Sequence, residues 1–161
     1  MTLLRYLTLL ALATWLGSLI FFPLVAQTSF SVLPSTHLAG LVVRSSLLKL
    51  HWIAFLSGTT FLASSLLYNR VAHGSLRLFN LSAMLVVIML ALTAISQFRI
   101  IPRMDAIRSG TQEISQLAPD DPIRREFDTL HAWSTRLEET VLVLGLIALY
   151  STVRRISVPR S

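Results

Sequence analysis

The sequence predicts an all-α integral membrane protein: a four-helix bundle whose third and fourth helices extend beyond the bilayer as an antiparallel hairpin. Three observations carry this reading. The chain is 53% apolar and 14% charged, with a mean hydropathy of +0.66, whereas a soluble domain carries about 25% charged residues. Four apolar runs match or approach the length needed to cross a hydrocarbon core of about 30 Å. Two stretches with helical apolar spacing flank a Pro-Asp-Asp-Pro turn. The 161 residues suffice for one membrane domain, residues 1–161.

The first run, Tyr6 to Ala26, contains no charge. At about 1.5 Å per residue it rises roughly 31 Å. Arg5 before it and Leu24-Val25-Ala26 within it imitate a secretion signal. A signal core is usually about 7–15 residues, so this longer run reads as a retained span. The second span covers about residues 50–68 and is rich in small and hydroxyl side chains. Ala54 and Gly58 stand four apart there, as Ala13 and Gly17 do in the first span. Such spacing lets helix backbones approach closely in lipid, so these four residues are expected to pack helices together. The third span covers about residues 78–97, and the fourth, the shorter residues 137–153, stops at Arg154 and Arg155.

Between spans three and four, Ile100, Met104, Ile107, Thr111 and Ile114 recur at intervals of 4, 3, 4 and 3. Ile123, Phe127, Leu130, Ser134 and Leu137 repeat the pattern. Each set is the apolar stripe of an amphipathic helix. Asp121 suits an N-cap and Pro122 a first helical position, so residues 100–136 read as a helical hairpin. Pro102 should disturb the third helix, because it lacks a donor and crowds the carbonyl of Phe98. Pro34-Ser35-Thr36 marks a capped helix start ahead of span two, lying either against the hairpin or along the headgroups.

Thirteen arginines and one lysine against eight acids give a net charge of +6. Membrane headgroups and orientation account for this basicity, and nucleic acid is not expected as a partner. All eight acids lie on the hairpin side, balanced by eight basic residues, while six arginines on the other side stand without acids. Counting basic residues alone slightly favours a cytoplasmic hairpin. The dense packing of the six arginines into short termini and one turn favours the reverse. The reading adopted is both termini cytoplasmic and, for a bacterial inner membrane, the hairpin periplasmic.

The absence of cysteine excludes disulfides, thiolate zinc sites, iron–sulfur clusters and cysteine nucleophiles. No nucleophile–base pair is readable, so the sequence leans away from an enzyme. Of four histidines, His73 falls in a short turn on the termini side, and His37, His51 and His131 fall on the hairpin side. The latter three are the candidate ligands for haem or copper. His51 and His131 differ in depth by roughly 9 Å on upright helices, which argues against one iron between them. Glu138 and Glu139 stand at the membrane boundary, where a carboxylate needs a partner or water. Arg99 lies at the matching end of span three. Arg99, His131, Glu138 and Glu139 are therefore the expected polar cluster.

Several local patterns resemble the domain of unknown function 4149 family of transmembrane protein 205-like membrane proteins. They are Trp15-Leu16-Gly17 with Phe21-Phe22, Val25-Ala26 and Phe30; Arg99-Ile100-Ile101-Pro102 through Arg108; and Phe127-Asp128-Thr129-Leu130-His131-Ala132-Trp133-Ser134 before a span containing Gly145. Gln27 stands where the family pattern has proline, and Glu138-Glu139 where it has an asparagine-type residue. The resemblance implies a four-helix membrane protein without an established reaction. The Trp-x-Gly span and membrane histidines are also similar to copper-resistance membrane proteins, by analogy alone.

Function is accordingly expected in one of three classes. The leading one is a non-catalytic accessory or assembly subunit, or a homo-oligomer, with the bilayer and either itself or a larger membrane complex as partners. The alternatives are a haem- or copper-binding membrane protein using His51 and His131, and a small-solute carrier or channel acting as an oligomer.

Overall fold

The computed structural model describes residues 1–73, 80–111 and 114–157, and the side chains of His73, Ile156 and Ser157 lie outside that description. The turn expected around His73 is helix instead, since α2 runs to that residue, and the Arg77, Glu113 and Arg160 counted for orientation fall outside the described residues. Every regular element among the described residues is helical. Helix α1 spans Thr2–Val32, α2 Thr36–His73, α3 Leu81–Ile95, α4 Ile101–Gly110 and α5 Pro122–Ser157. A π-helical turn, Ser96–Ile100, joins α3 to α4, and a 3-10 turn, Ile114–Gln116, precedes α5. Among the described residues, three segments are long and apolar enough to cross a membrane: Thr2–Val32, Thr36–Ala72 and Leu81–Gly110. Helix α5 is a fourth long helix whose apolar run is shorter.

Local chemistry sets the helix ends. Ser35 Oγ accepts a hydrogen bond from Leu38 N, so the cap ahead of span two starts a helix. That helix then continues unbroken for 38 residues, about 57 Å at 1.5 Å per residue. Its first turns lie against the residues beyond α3 rather than apart from them: Thr36 Oγ1 and Ser115 Oγ are 3.2 Å apart, and Arg44 grips Asp105 through two hydrogen bonds. Asn80 Oδ1 caps α3 by accepting from Ala83 N at 2.9 Å. Asp121 Oδ1 does the same for α5, accepting from Ile123 N at 2.8 Å.

The sequence stripe from Ile100 to Ile114 does not form one helix. Helix α4 ends at Gly110, and Thr111 is extended with φ −145° and ψ 105°. Gly is a poor helix former and a β-branched threonine favours extended backbone, so the pair terminates the helix. At the other end of α4, Ile101 N donates to Ser96 O, five residues back. The resulting π turn makes room for Pro102, whose ring would otherwise crowd the Phe98 carbonyl.

The core is a layer of apolar side chains from α1, α2, α3 and α5, with Leu12, Trp15, Ala54, Phe61, Val86 and Met89 at its centre. Small residues permit the close approaches. A Cβ on Gly58 would come within 2.6 Å of Leu90 Cδ2, and one on Gly145 within 2.5 Å of Leu16 Cδ2. Ala54 is fully buried. Ala13 and Gly17, by contrast, are exposed on the outer face of α1, and a Cβ on Gly17 would meet nothing.

Two glycines at similar sequence spacing should therefore respond oppositely. Gly58→Ala forces the whole Leu90 side chain aside, an overpacking that costs about 1–3 kcal/mol. Gly17→Ala should change stability by less than about 0.5 kcal/mol. Thermal unfolding of the detergent-solubilised protein reads both, and Leu90→Ala in the Gly58→Ala background should recover part of the loss.

Candidate functional site

His51 lies in the middle of α2, where its side chain is fully buried. A buried imidazole needs partners for both ring nitrogens, because an unmet polar group away from water costs about 1–3 kcal/mol. The fold supplies one from each neighbouring element. Gln97, in the π turn, places Oε1 2.7 Å from Nδ1, and Glu138, on α5, places Oε1 2.7 Å from Nε2. In this arrangement the Nδ1–H donates to the Gln97 carbonyl. The second carboxylate oxygen, Glu138 Oε2, is buried and has no hydrogen-bond partner.

Above this triad, toward α4, opens a cavity of about 660 Å³, within the roughly 300–1,000 Å³ of small-molecule sites. One wall is α1, which contributes Leu19, Phe22, Pro23, Ala26 and Phe30. These residues share one helical face, and all are apolar. Pro23 has no N–H, so the Leu19 carbonyl lacks its intrahelical donor. The rest of the lining mixes charge with apolar side chains such as Val43, Leu47, Met104 and Phe127. It carries Arg44 of α2, Asp105 and Arg108 of α4, and Arg124, His131 and Glu139 of α5, with Glu138 at its lower end.

The cations on this wall are already engaged. Arg44 is bidentate to Asp105. Arg108 is 3.8 Å from the same carboxylate and stacks over the Phe127 ring at 5.5 Å. Arg124 donates to the Leu117 carbonyl at 2.6 Å and lies 3.8 Å from Asp128. Outside the cavity, Arg103 and Glu126 pair at 2.6 Å and tie α4 to α5.

The sequence-predicted residues are brought together only in part. Glu138 meets His51, not Arg99. Arg99 is exposed, and among the described residues no ion pair joins it to Glu138 or Glu139. Depth along the membrane placed Arg99 beside Glu138, but two residues along a helix are about 200° apart, so Gln97 faces inward where Arg99 faces out. His131 and Glu139 line the cavity, as does His37. His131 stands seven residues before Glu138, roughly 10 Å along the axis. His51 has committed both nitrogens, and among the described residues no three His, Cys, Asp or Glu side chains gather as a metal-binding group. The haem or copper ligation expected of His37, His51 and His131 has no support in this geometry. Sequence reasoning missed Gln97 as the partner of His51 and Arg44 as the partner of Asp105. The available signals were the uncharged polar residue closing span three and the acid at the first turn beyond Pro102.

Removing one member of the buried pair should be more damaging than removing both. His51→Leu strands Glu138 in a buried environment and should cost about 3–5 kcal/mol, whereas His51→Leu with Glu138→Leu should recover most of that loss. Equilibrium unfolding in mixed micelles measures the cycle, and strictly additive losses would show that the two side chains do not act as a pair.

Comparison with curated proteins and with solved structures finds no match to this chain. A family model described as a domain of unknown function (DUF4149) matches residues 10–113, a stretch that includes His51, Gln97, Asp105 and the whole α1 wall, and the chain belongs to that family.

Proposed function

We propose that this chain is a non-catalytic membrane protein that holds one amphipathic small molecule or lipid in the cavity between α1 and the charged faces of α2, α4 and α5. The observation that carries this reading is the make-up of the cavity itself: an unbroken apolar wall on α1, and a remaining lining in which charges are interspersed with apolar side chains. A ligand with an apolar body and a polar head would satisfy both walls at once, and neither a wholly polar nor a wholly apolar solute would.

In this reading α5 is the fourth membrane-crossing helix of a bundle. Its exposed Val143, Leu146, Ile147 and Tyr150 support that placement, as lipid-facing residues would. Helix α4 and the first turns of α5 form the hairpin outside the bilayer, with both termini cytoplasmic. The exposed Ala13 and Gly17 leave α1 a face on which a second copy or a larger complex can pack.

Photoactivatable long-chain amphiphiles with a diazirine in the tail, carrying alcohol, amine or carboxylate heads, test the cavity directly. Labelling of Phe22, Phe30 or Leu142, lost in Ala26→Trp, is expected for at least one head. Labelling confined to outward-facing positions such as Phe21 and Leu56, and unchanged by Ala26→Trp, would overturn the reading. The absence of native cysteine makes orientation equally direct. Ser109→Cys should react with an impermeant maleimide from the periplasmic side and Thr2→Cys should not, and the reverse pattern would invert the proposed topology.

A further inference from the structure

The three cavity arginines are not equally well partnered, and the least complete of them points to the ligand's head. Arg44 takes both oxygens of Asp105, and Arg124 donates to the Leu117 carbonyl. Arg108 comes only to 3.8 Å from the Asp105 carboxylate, beyond hydrogen-bond length. The Phe127 ring covers one face of its guanidinium, which leaves the five N–H donors of the edge still in need of acceptors. Among the described residues the Arg108 side chain makes no hydrogen bond. That side chain is 17% exposed, so it is largely withdrawn from water yet open to a molecule in the cavity that it lines.

The charges around it do not balance. Arg44 and Arg108 share the single carboxylate of Asp105, which leaves this end with one positive charge in excess. Arg124 and Asp128 offset each other. Arg108 Nη2 lies against Gly40, 3.7 Å from where a Cβ would stand. His37, one helical turn before Gly40, is half-buried, lines the same cavity and adds a second donor without a hydrogen bond among the described residues. The acids Glu138 and Glu139 stand at the far end, because His51, bonded to Glu138, follows Gly40 along α2 by roughly 16 Å. The apolar wall occupies the space between. Arg5 bonds Tyr68, and this register of the antiparallel α1 and α2 brings Phe30 about level with Val43 and Phe22 about level with His51. Hydrocarbon on α1 therefore starts beside Arg108 and runs toward Glu138.

We infer that the ligand is an amphiphile with an oxyanion head, carboxylate or phosphate, received by the N–H edge of Arg108 beside His37, with its apolar chain directed along α1 toward Phe22. The planar fork of a guanidinium matches two oxygens of such a head. This rests on the amphiphile reading above and narrows it to one head chemistry and one direction in the cavity. Two sources supply that chemistry: a free single-chain acid, or the headgroup of an anionic bilayer phospholipid.

The full-length protein in nanodiscs of phosphatidylcholine, titrated with dodecanoate, dodecyl phosphate, dodecanol and dodecylammonium against protein-free nanodiscs, separates the possibilities. Saturable binding of the two anions is expected, with dodecanol about tenfold weaker and no saturable binding of dodecylammonium. Arg108→Gln should weaken both anions about tenfold and leave dodecanol unchanged, and Arg108→Lys should recover part of the loss. Equal binding of all heads, preference for the ammonium, or unchanged anion binding in folded Arg108→Gln overturns the oxyanion assignment while leaving the amphiphile reading in place. No saturable binding of any head overturns both. The comparison among heads uses the unaltered protein, so it holds even where Arg108→Gln fails to fold. A diazirine at the chain terminus of dodecanoate should label Phe22 or Leu142, and labelling at His37 or Phe127 instead overturns the direction. Native mass spectrometry from nanodiscs of mixed phosphatidylethanolamine, phosphatidylcholine and phosphatidylglycerol distinguishes the source. Selective retention of phosphatidylglycerol supports a lipid, and unselective or no retention together with dodecanoate binding supports a free acid. Selective retention of either zwitterionic lipid overturns the assignment.

Discussion

An imidazole sealed inside a helical membrane protein fixes the positions of everything around it. His51 has no access to water, so each ring nitrogen must find a protein atom at hydrogen-bond distance. Those atoms come from the π turn after α3 and from α5, which means three separate stretches of chain must agree in depth and in rotation at one point. Apolar packing alone would tolerate a slide of one helix past another with modest loss. Two bonds of 2.7 Å to one ring would not. The small residues below, Ala54, Gly58 and Gly145, then let the helices close around the register so defined.

One level higher, the Arg44–Asp105 pair repeats the linkage between α2 and the chain beyond α3. The two linkages pin α2 to Gln97 and to Asp105, leaving α1 as the one cavity wall that offers only apolar side chains. The asymmetry of the cavity follows from that division of labour. Helices joined by polar bonds present their charged faces to it, and the helix held by Trp15, Leu12 and Leu19 presents hydrocarbon.

The sequence was most legible where one residue decides the outcome. Asp121 and Pro122 mark the start of α5, Ser35 marks that of α2, and the long uncharged runs announce helices able to cross a membrane. It was less legible where the outcome depends on rotation. Arg99 and Glu138 share a depth, and a charge at the boundary invites pairing with the nearest opposite charge. The competing partner, His51, is distant in sequence and sits in a run otherwise read as packing surface. Likewise the stripe through Thr111 and Ile114 has helical spacing but ends early, because spacing reports which side is apolar and Gly110 reports whether the backbone continues. Haem ligation was suggested by the number of histidines on one side, and a count of side chains carries no information about which of their nitrogens are already taken.

The π turn has a consequence for how the chain tolerates length changes. Along a regular helix, residues eight apart drift by about 80°, so Gln97 and Asp105 would look toward different neighbours. The wider turn between them takes back that drift and lets one strand of sequence serve His51 below and Arg44 above. Forcing the same residues between Ser96 and Ile100 into an uninterrupted hydrogen-bond ladder would give a locally more regular helix. It would also swing the distal segment by about 100° and point Asp105 away from its arginine, whereas losing one residue of the turn would straighten the ladder and keep Asp105 in phase with Gln97. Local regularity and global fit oppose each other at this point, so the irregular turn acts as a phase adjuster between two halves of one long rod.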